Sequence, residues 1–181
     1  TVNNSTGITI SNLTVDGEGR GNQVIPGNDF VGIMYRESSG GVDDVTVDSI
    51  RDAYVNGQLS GNQRGNAIVV TNTGAAVEFS LTDSTIQDYQ KTGAIFRNVD
   101  VTVTDNAIVA GGVQVAPGAI AQNGIQLSSG SFGTVSGNSF DGLGYAPGNW
   151  LAASVMGFDS TGGVTIEGNT HNGTEATVLS R

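Results

Sequence analysis

Tyr89, Lys91 and Arg97 stand close together in a chain with only 7 Lys and Arg against 17 Asp and Glu. A phenol, an amine and a guanidinium so near each other could take a proton beside a carboxylate. Lys91 or Arg97 would hold that carboxylate. On this reading the three are candidate catalytic residues. The plainer reading puts Tyr89 and Gln90 at a tight corner and leaves the cations in solvent. Asp43, Asp44 and Asp48 form the densest acidic group. They could supply oxygens to Ca²⁺ as a metal site, although their spacing matches no EF-hand loop. The competing reading is a solvated acidic turn. No other cofactor is expected. Tyr145 and Trp150 lie in Gly144-Tyr145-Ala146-Pro147-Gly148-Asn149-Trp150, and Trp150 is the chain's one tryptophan. An aromatic ring on a loop can stack on the apolar face of a sugar, which makes these two candidate ligand-binding residues.

Composition narrows the partners. A net charge of −10 argues against nucleic acid and anionic membranes, and leaves neutral polysaccharides, cations or basic partners. With 0 Cys there is no disulfide, thiolate metal site or Cys nucleophile. Only 13% of residues are charged, so surface polarity comes mostly from neutral hydroxyls and amides. That composition suits a secreted or cell-surface protein of bacterial type. No apolar run approaches the roughly 18 residues of a membrane-spanning helix, so no membrane insertion is expected. No signal peptide is visible, which fits a mature form or a segment of a larger protein.

The elements that must position these side chains announce themselves by repetition. One short phrase recurs as Ile8-Thr9-Ile10, Val45-Thr46-Val47, Phe79-Ser80-Leu81, Val101-Thr102-Val103, Gly133-Thr134-Val135 and Val164-Thr165-Ile166. In a strand, successive side chains alternate between faces. The outer residues of each phrase therefore point to a core and the hydroxyl points to solvent. The residue after the following turn is Ser84, Asn106, Asn138 or Asn169 in the later repeats, and Leu13 or Ile50 in the first two. Asparagines stacked at a bend can bond one another and satisfy the turn backbone. A second strand type appears as Val31–Tyr35, Ala67–Val70, Gly93–Phe96, Asn123–Leu127 and Ala153–Met156. If Ile33, Ile68, Ile95, Ile125 and Val155 face inward, then Met34, Val69, Phe96, Gln126 and Met156 face outward. The apolar row Met34, Val69, Phe96 and Met156 would need a cover or a partner. A one-residue slip reverses that assignment. Helical periodicity is nowhere sustained.

The longer insertions all follow the same strand: residues 16–29, 55–66, 111–122 and 143–152. The repeat between Leu81 and Val103 closes tightly through Asp88-Tyr89-Gln90-Lys91-Thr92. In a stacked repeat, insertions at one phase land on one edge, and a clustered loop edge is where binding residues tend to sit.

The stretch Ile86–Ile95, with Gln122–Leu127 and Gly133–Asn138, resembles the right-handed parallel β-helix proteins, the broad pectate-lyase-like group of bacterial domains. The resemblance implies an all-β fold: a single right-handed parallel β-helix, or solenoid, of about five to six coils, spanning residues 1–181 as one domain. The Asp-Pro-His-Asp-like motif of the epimerase type is absent, and the single histidine is His171. The expectation is therefore an extracellular, non-catalytic binding or structural module that recognises carbohydrate or a surface component on the loop edge. The lyase or epimerase activity is the alternative. A third reading is a self-associating adhesin or shaft, joined through uncapped ends or the outward apolar row.

Overall fold

The structure, a computed structural model, describes residues 1–24, 28–115, 120–147, 149–160 and 163–180. Seventeen strands run in chain order. They are β1 (Val2–Asn3), β2 (Ile8–Asp16), β3 (Val31–Arg36), β4 (Gly40–Asp48), β5 (Asn66–Thr71), β6 (Val77–Thr82), β7 (Thr85–Gln87), β8 (Thr92–Arg97) and β9 (Val99–Thr104). There follow β10 (Ala107–Gln114), β11 (Asn123–Ser128), β12 (Phe132–Ser136), β13 (Ser139–Tyr145), β14 (Ala153–Phe158), β15 (Val164–Glu167), β16 (Thr170–Asn172) and β17 (Ala176–Ser180). They form two sheets, one of 7 strands in the order β1-β3-β5-β8-β11-β14-β17 and one of 10. The named strand pairs are parallel. The described residues contain one short 3₁₀ turn, Gly21–Gln23, and no α-helix.

The register of the larger sheet revises the repeat. Ile10 pairs with Val42, Val42 with Leu81, Leu81 with Val103, Val103 with Val135, and Val135 with Ile166. The second copy of the phrase is therefore Gly40-Gly41-Val42, not Val45-Thr46-Val47. Val47 belongs to the next row, between Val15 and Ile86. The period-2 signal cannot tell the two apart, because β2 and β4 each carry an inward-facing pattern on both sides of a corner. In later repeats that corner divides the strand, giving β6 and β7, then β9 and β10.

The corner is set by local backbone chemistry. Asn12, Asp44, Asp83 and Asp105 take φ between 48° and 59°, where Asn and Asp are tolerated, and Gly137 and Gly168 take the same place at 68° and 63°. A turning backbone cannot continue its ladder bonds, so side chains replace them. Val45 N–H donates to Ser84 Oγ (3.1 Å), Ser84 N–H to Asn106 Oδ1 (2.9 Å), Asn106 N–H to Asn138 Oδ1 (3.0 Å) and Asn138 N–H to Asn169 Oδ1 (2.9 Å). The asparagine row is as expected, but Val45, not Ile50, precedes it.

Four inward columns build the core. Val42, Leu81, Val103 and Val135 are fully buried, as are Val47, Ile86 and Ile108. From the smaller sheet come Ile68, Ala94, Ile125 and Val155, and Tyr35, Val70, Phe96 and Leu127. Burying each large aliphatic or aromatic side chain contributes about 1.5–3 kcal/mol. The expected inward Ile95 and outward Phe96 are exchanged. Ala94 pairs with Ile68 and Phe96 with Val70, so Phe96 enters the core, its ring 5.8 Å from Phe79. The outward row is Met34, Val69, Ile95, Gln126 and Met156.

That row is not an open apolar stripe. Val69 and Ile95 are buried, and so are Leu59 and Ile120 of the connecting segments, yet none of the four belongs to the main core. The long connections therefore fold across the outer face of the smaller sheet. Of the expected row Met34, Val69, Phe96 and Met156, Phe96 belongs to the core and Val69 is buried, while Met34 and Met156 are half-buried.

Candidate functional site

Each long connection leaves a strand of the larger sheet and enters the next strand of the smaller one, at 17–30, 49–65, 115–122 and 146–152. The single-edge expectation holds for these described segments; residues 25–27, 116–119 and 148 of the edge loops lie outside the described residues. β10 and β13 run further than expected, to Gln114 and Tyr145. Tyr145 thus ends a strand, with 8% of its surface exposed, instead of standing on a loop.

The connection 49–65 is held by a buried polar network that sequence reading missed. Asp52 is 2% exposed. Its carboxylate accepts from Arg64 Nε (2.9 Å), Asn62 Nδ2 (2.7 Å) and Ser60 Oγ. Gln90, fully buried in the tight turn 88–91, accepts from Asp52 N–H (2.7 Å) and donates to Ser60 Oγ (2.9 Å) and Asn62 O (2.8 Å). Burial alone would raise the Asp52 pKa. The hydrogen bonds from Ser60, Asn62 and Arg64, and the Arg64 charge, outweigh it and hold the group below the usual carboxylate value. Beside this network Arg51 Nε donates to Asp88 (2.6 Å), and its guanidinium lies 3.9 Å over the Tyr54 ring. Tyr54 O–H donates to the same carboxylate (2.6 Å); burial and that bond push its pKa up to about 12.

Next to Gln90 in the chain, Lys91 enters a cavity of about 440 Å³. Its lining includes Tyr145, Trp150, Met156 and Phe158, together with the amide-bearing residues Gln63, Asn123 and Gln126. The volume lies in the range of small-molecule sites, roughly 300–1,000 Å³. Trp150 is 55% exposed, so its ring stands at the cavity's border with solvent. Lys91 Nζ donates to Ala121 O (3.2 Å), and burial pushes the pKa of the amine below the ordinary lysine value. Asn123 is buried, and its Oδ1 has no hydrogen-bond partner among the described residues.

The expected sites fare differently. Tyr145, Trp150 and Lys91 meet in this cavity. Tyr89, Lys91 and Arg97 do not form one site. Tyr89 is fully buried within the main core, its hydroxyl without a hydrogen-bond partner among the described residues and its pKa pushed up by burial. Arg97 closes β8, six residues from Lys91, which is roughly 20 Å along an extended strand. Of the three, only Lys91 lines the cavity. Nor do the acidic residues converge. Asp43 and Asp48 lie on opposite sides of the Asp44 corner; Asp43 accepts from Thr82 Oγ1 (2.6 Å) and Asp48 from Gln87 Nε2 (2.7 Å). Among the described residues no group of three His, Cys, Asp or Glu is placed to hold a metal ion.

Comparison with models of known families, with curated proteins and with solved structures found no match. The function therefore rests on the site itself.

Proposed function

We propose that this protein is a right-handed parallel β-helix of about five to six coils whose loop edge binds carbohydrate. It would serve as a non-catalytic module of a secreted or cell-surface protein. The cavity that unites Trp150 and Tyr145 with the amides of Gln63, Asn123 and Gln126 carries this reading. A sugar ring offers an apolar C–H face and a rim of hydroxyls. Aromatic side chains suit the first, and side-chain amides suit the second because each can donate and accept.

Trp150→Ala should weaken glycan binding about tenfold, the loss of one aromatic stacking contact. Affinity electrophoresis through polysaccharide gels measures it. Equal retardation of wild type and variant, or retardation of neither by any polysaccharide, sinks the reading.

A further inference from the structure

Three polar side chains enter the interior one above the other. Asn66, Thr92 and Asn123 open β5, β8 and β11, and the register pairs Asn66 with Thr92 and Thr92 with Asn123. Each stands two residues before an inward member of the core, Ile68, Ala94 or Ile125, and so shares its face. All three are buried, and Asn66 Oδ1, Thr92 Oγ1 and Asn123 Oδ1 have no hydrogen-bond partner among the described residues. Turning either amide over would put an unmet N–H donor in the same place. The fold does not require polarity here, because the same column holds Val31 before Asn66 and Ala153 after Asn123. An apolar residue would avoid the desolvation cost of each group. The polar run coincides with the coils where the connection 49–65, the tight turn 88–91 and the connection 115–122 re-enter the smaller sheet.

Spacing decides what can satisfy them. Adjacent strands lie about 4.8 Å apart. Side chains that project straight inward keep that separation, which is too long for a direct hydrogen bond of about 2.7–3.2 Å. The corner asparagines lean until they meet at 2.9 Å, whereas these three do not meet. One water about 2.8 Å from each of two oxygens spans about 4.5 Å. We infer that the interior holds two ordered waters, one bridging Asn66 Oδ1 to Thr92 Oγ1 and one bridging Thr92 Oγ1 to Asn123 Oδ1. The hydrogens balance. The first water donates to Asn66 Oδ1 and to Thr92 Oγ1; Thr92 O–H donates to the second, which donates to Asn123 Oδ1. Each water keeps acceptor capacity. The buried Tyr89 hydroxyl, also without a partner among the described residues, brings a further donor into the same core three residues before Thr92. Room comes from Ala94, which stands between Ile68 and Ile125 in the neighbouring column and is far smaller than either. The waters tie together three successive strand starts at the loop edge, and so hold the entry points of the connections in register. This inference is independent of the carbohydrate reading.

The test is Thr92→Val, which keeps the shape and removes the hydroxyl that both waters share. Its urea midpoint should fall by about 0.5 M or more, because Asn66 and Asn123 lose their bridged partner. A dry, unpaired hydroxyl predicts the opposite sign, since deleting it deletes a desolvation cost. An equal or higher midpoint therefore overturns the inference. A crystal structure of the wild type at atomic resolution decides independently, including the case where Thr92→Val does not fold. Water density should stand within about 3.2 Å of Thr92 Oγ1 and of each amide oxygen. An interior without such density overturns the inference. So does a bound cation in its place, shown by a wild-type midpoint that differs between sodium, potassium and choline chloride at one ionic strength.

Discussion

Asn138→Ala is expected to remove about 3–4 kcal/mol of folding stability, a large share of the roughly 5–15 kcal/mol a domain possesses. Asn138 is fully buried at the corner. Its Nδ2 donates to Val103 O (3.0 Å), Ser136 O (3.0 Å) and Asn169 Oδ1 (2.9 Å), and its Oδ1 accepts from Asn106 N–H (3.0 Å) and Asn106 Nδ2 (2.9 Å). Truncation leaves buried donors and acceptors in two neighbouring repeats without partners. The cost of each is about 1–3 kcal/mol, and not all of them can relax together. Urea unfolding should show a lower midpoint with an unchanged slope. Asn169→Ala supplies the gradient. That residue is half-buried; its Nδ2 donates to Val135 O (2.9 Å) and its Oδ1 accepts from Asn138 N–H and Nδ2 (both 2.9 Å), fewer bonds in a wetter place, so its loss should be smaller. If the two variants were equally destabilised, or Asn138→Ala lost under about 1 kcal/mol, the row would be filling space and not replacing ladder bonds.

This row was legible because its cause is local. A strand that turns must satisfy its backbone, and asparagine at a fixed distance from a residue tolerant of positive φ does that. The same locality explains the errors. Val45-Thr46-Val47 and Gly40-Gly41-Val42 both place small or branched residues inward around a hydroxyl or a gap, and only pairing with Ile10 shows which is in phase. Ile95 and Phe96 were exchanged because the small pair Gly93-Ala94 hides where the inward alternation starts. A Cβ on Gly93 would come within 2.7 Å of Gly124 O. The strand therefore presses backbone against backbone at that point, a contact that depends on two distant segments.

The site was legible only in its aromatic half. Trp150 and Tyr145 stand out by rarity and by position after the same strand. Lys91 was noticed in the wrong company, since proximity along a strand is distance in space: Tyr89 turns into the core while Arg97 lies at the far end of β8. Asn123 looked like one member of a strand phrase. Its unpaired oxygen is a property of burial, and no residue type announces burial. The pair Asp52 and Arg64 is separated by a stretch rich in Gly, Asn and Gln that reads as a plain loop, and nothing in it distinguishes a buried ion pair from two solvated charges.

Asp52→Ala is expected to cost about 3–5 kcal/mol, because it leaves Arg64 as an uncompensated charge in a dry setting. The effect should exceed that of an exposed pair such as Arg20–Glu18, worth at most about 1 kcal/mol. It should also reach the ligand. Asp52 anchors Ser60 and Asn62, these anchor Gln90, and the segment carries Gln63 to the cavity that Lys91 enters. Glycan binding by Asp52→Ala should therefore weaken under conditions where the protein is still folded. The pH dependence isolates the charge. The folded-state pKa of Asp52 lies below its unfolded value, so its stabilisation is fully present above the unfolded value of about 4 and is lost as pH falls through the folded one. Asp52→Asn removes that titration and keeps the shape. The stability gap between wild type and Asp52→Asn should be constant near neutrality and shrink on acidification below about pH 4. Urea midpoints across that range measure it. A gap that stayed constant down to the acid limit would show that the folded protein holds the charged and the protonated Asp52 equally well, and the network would then stabilise the loop through hydrogen-bond geometry alone.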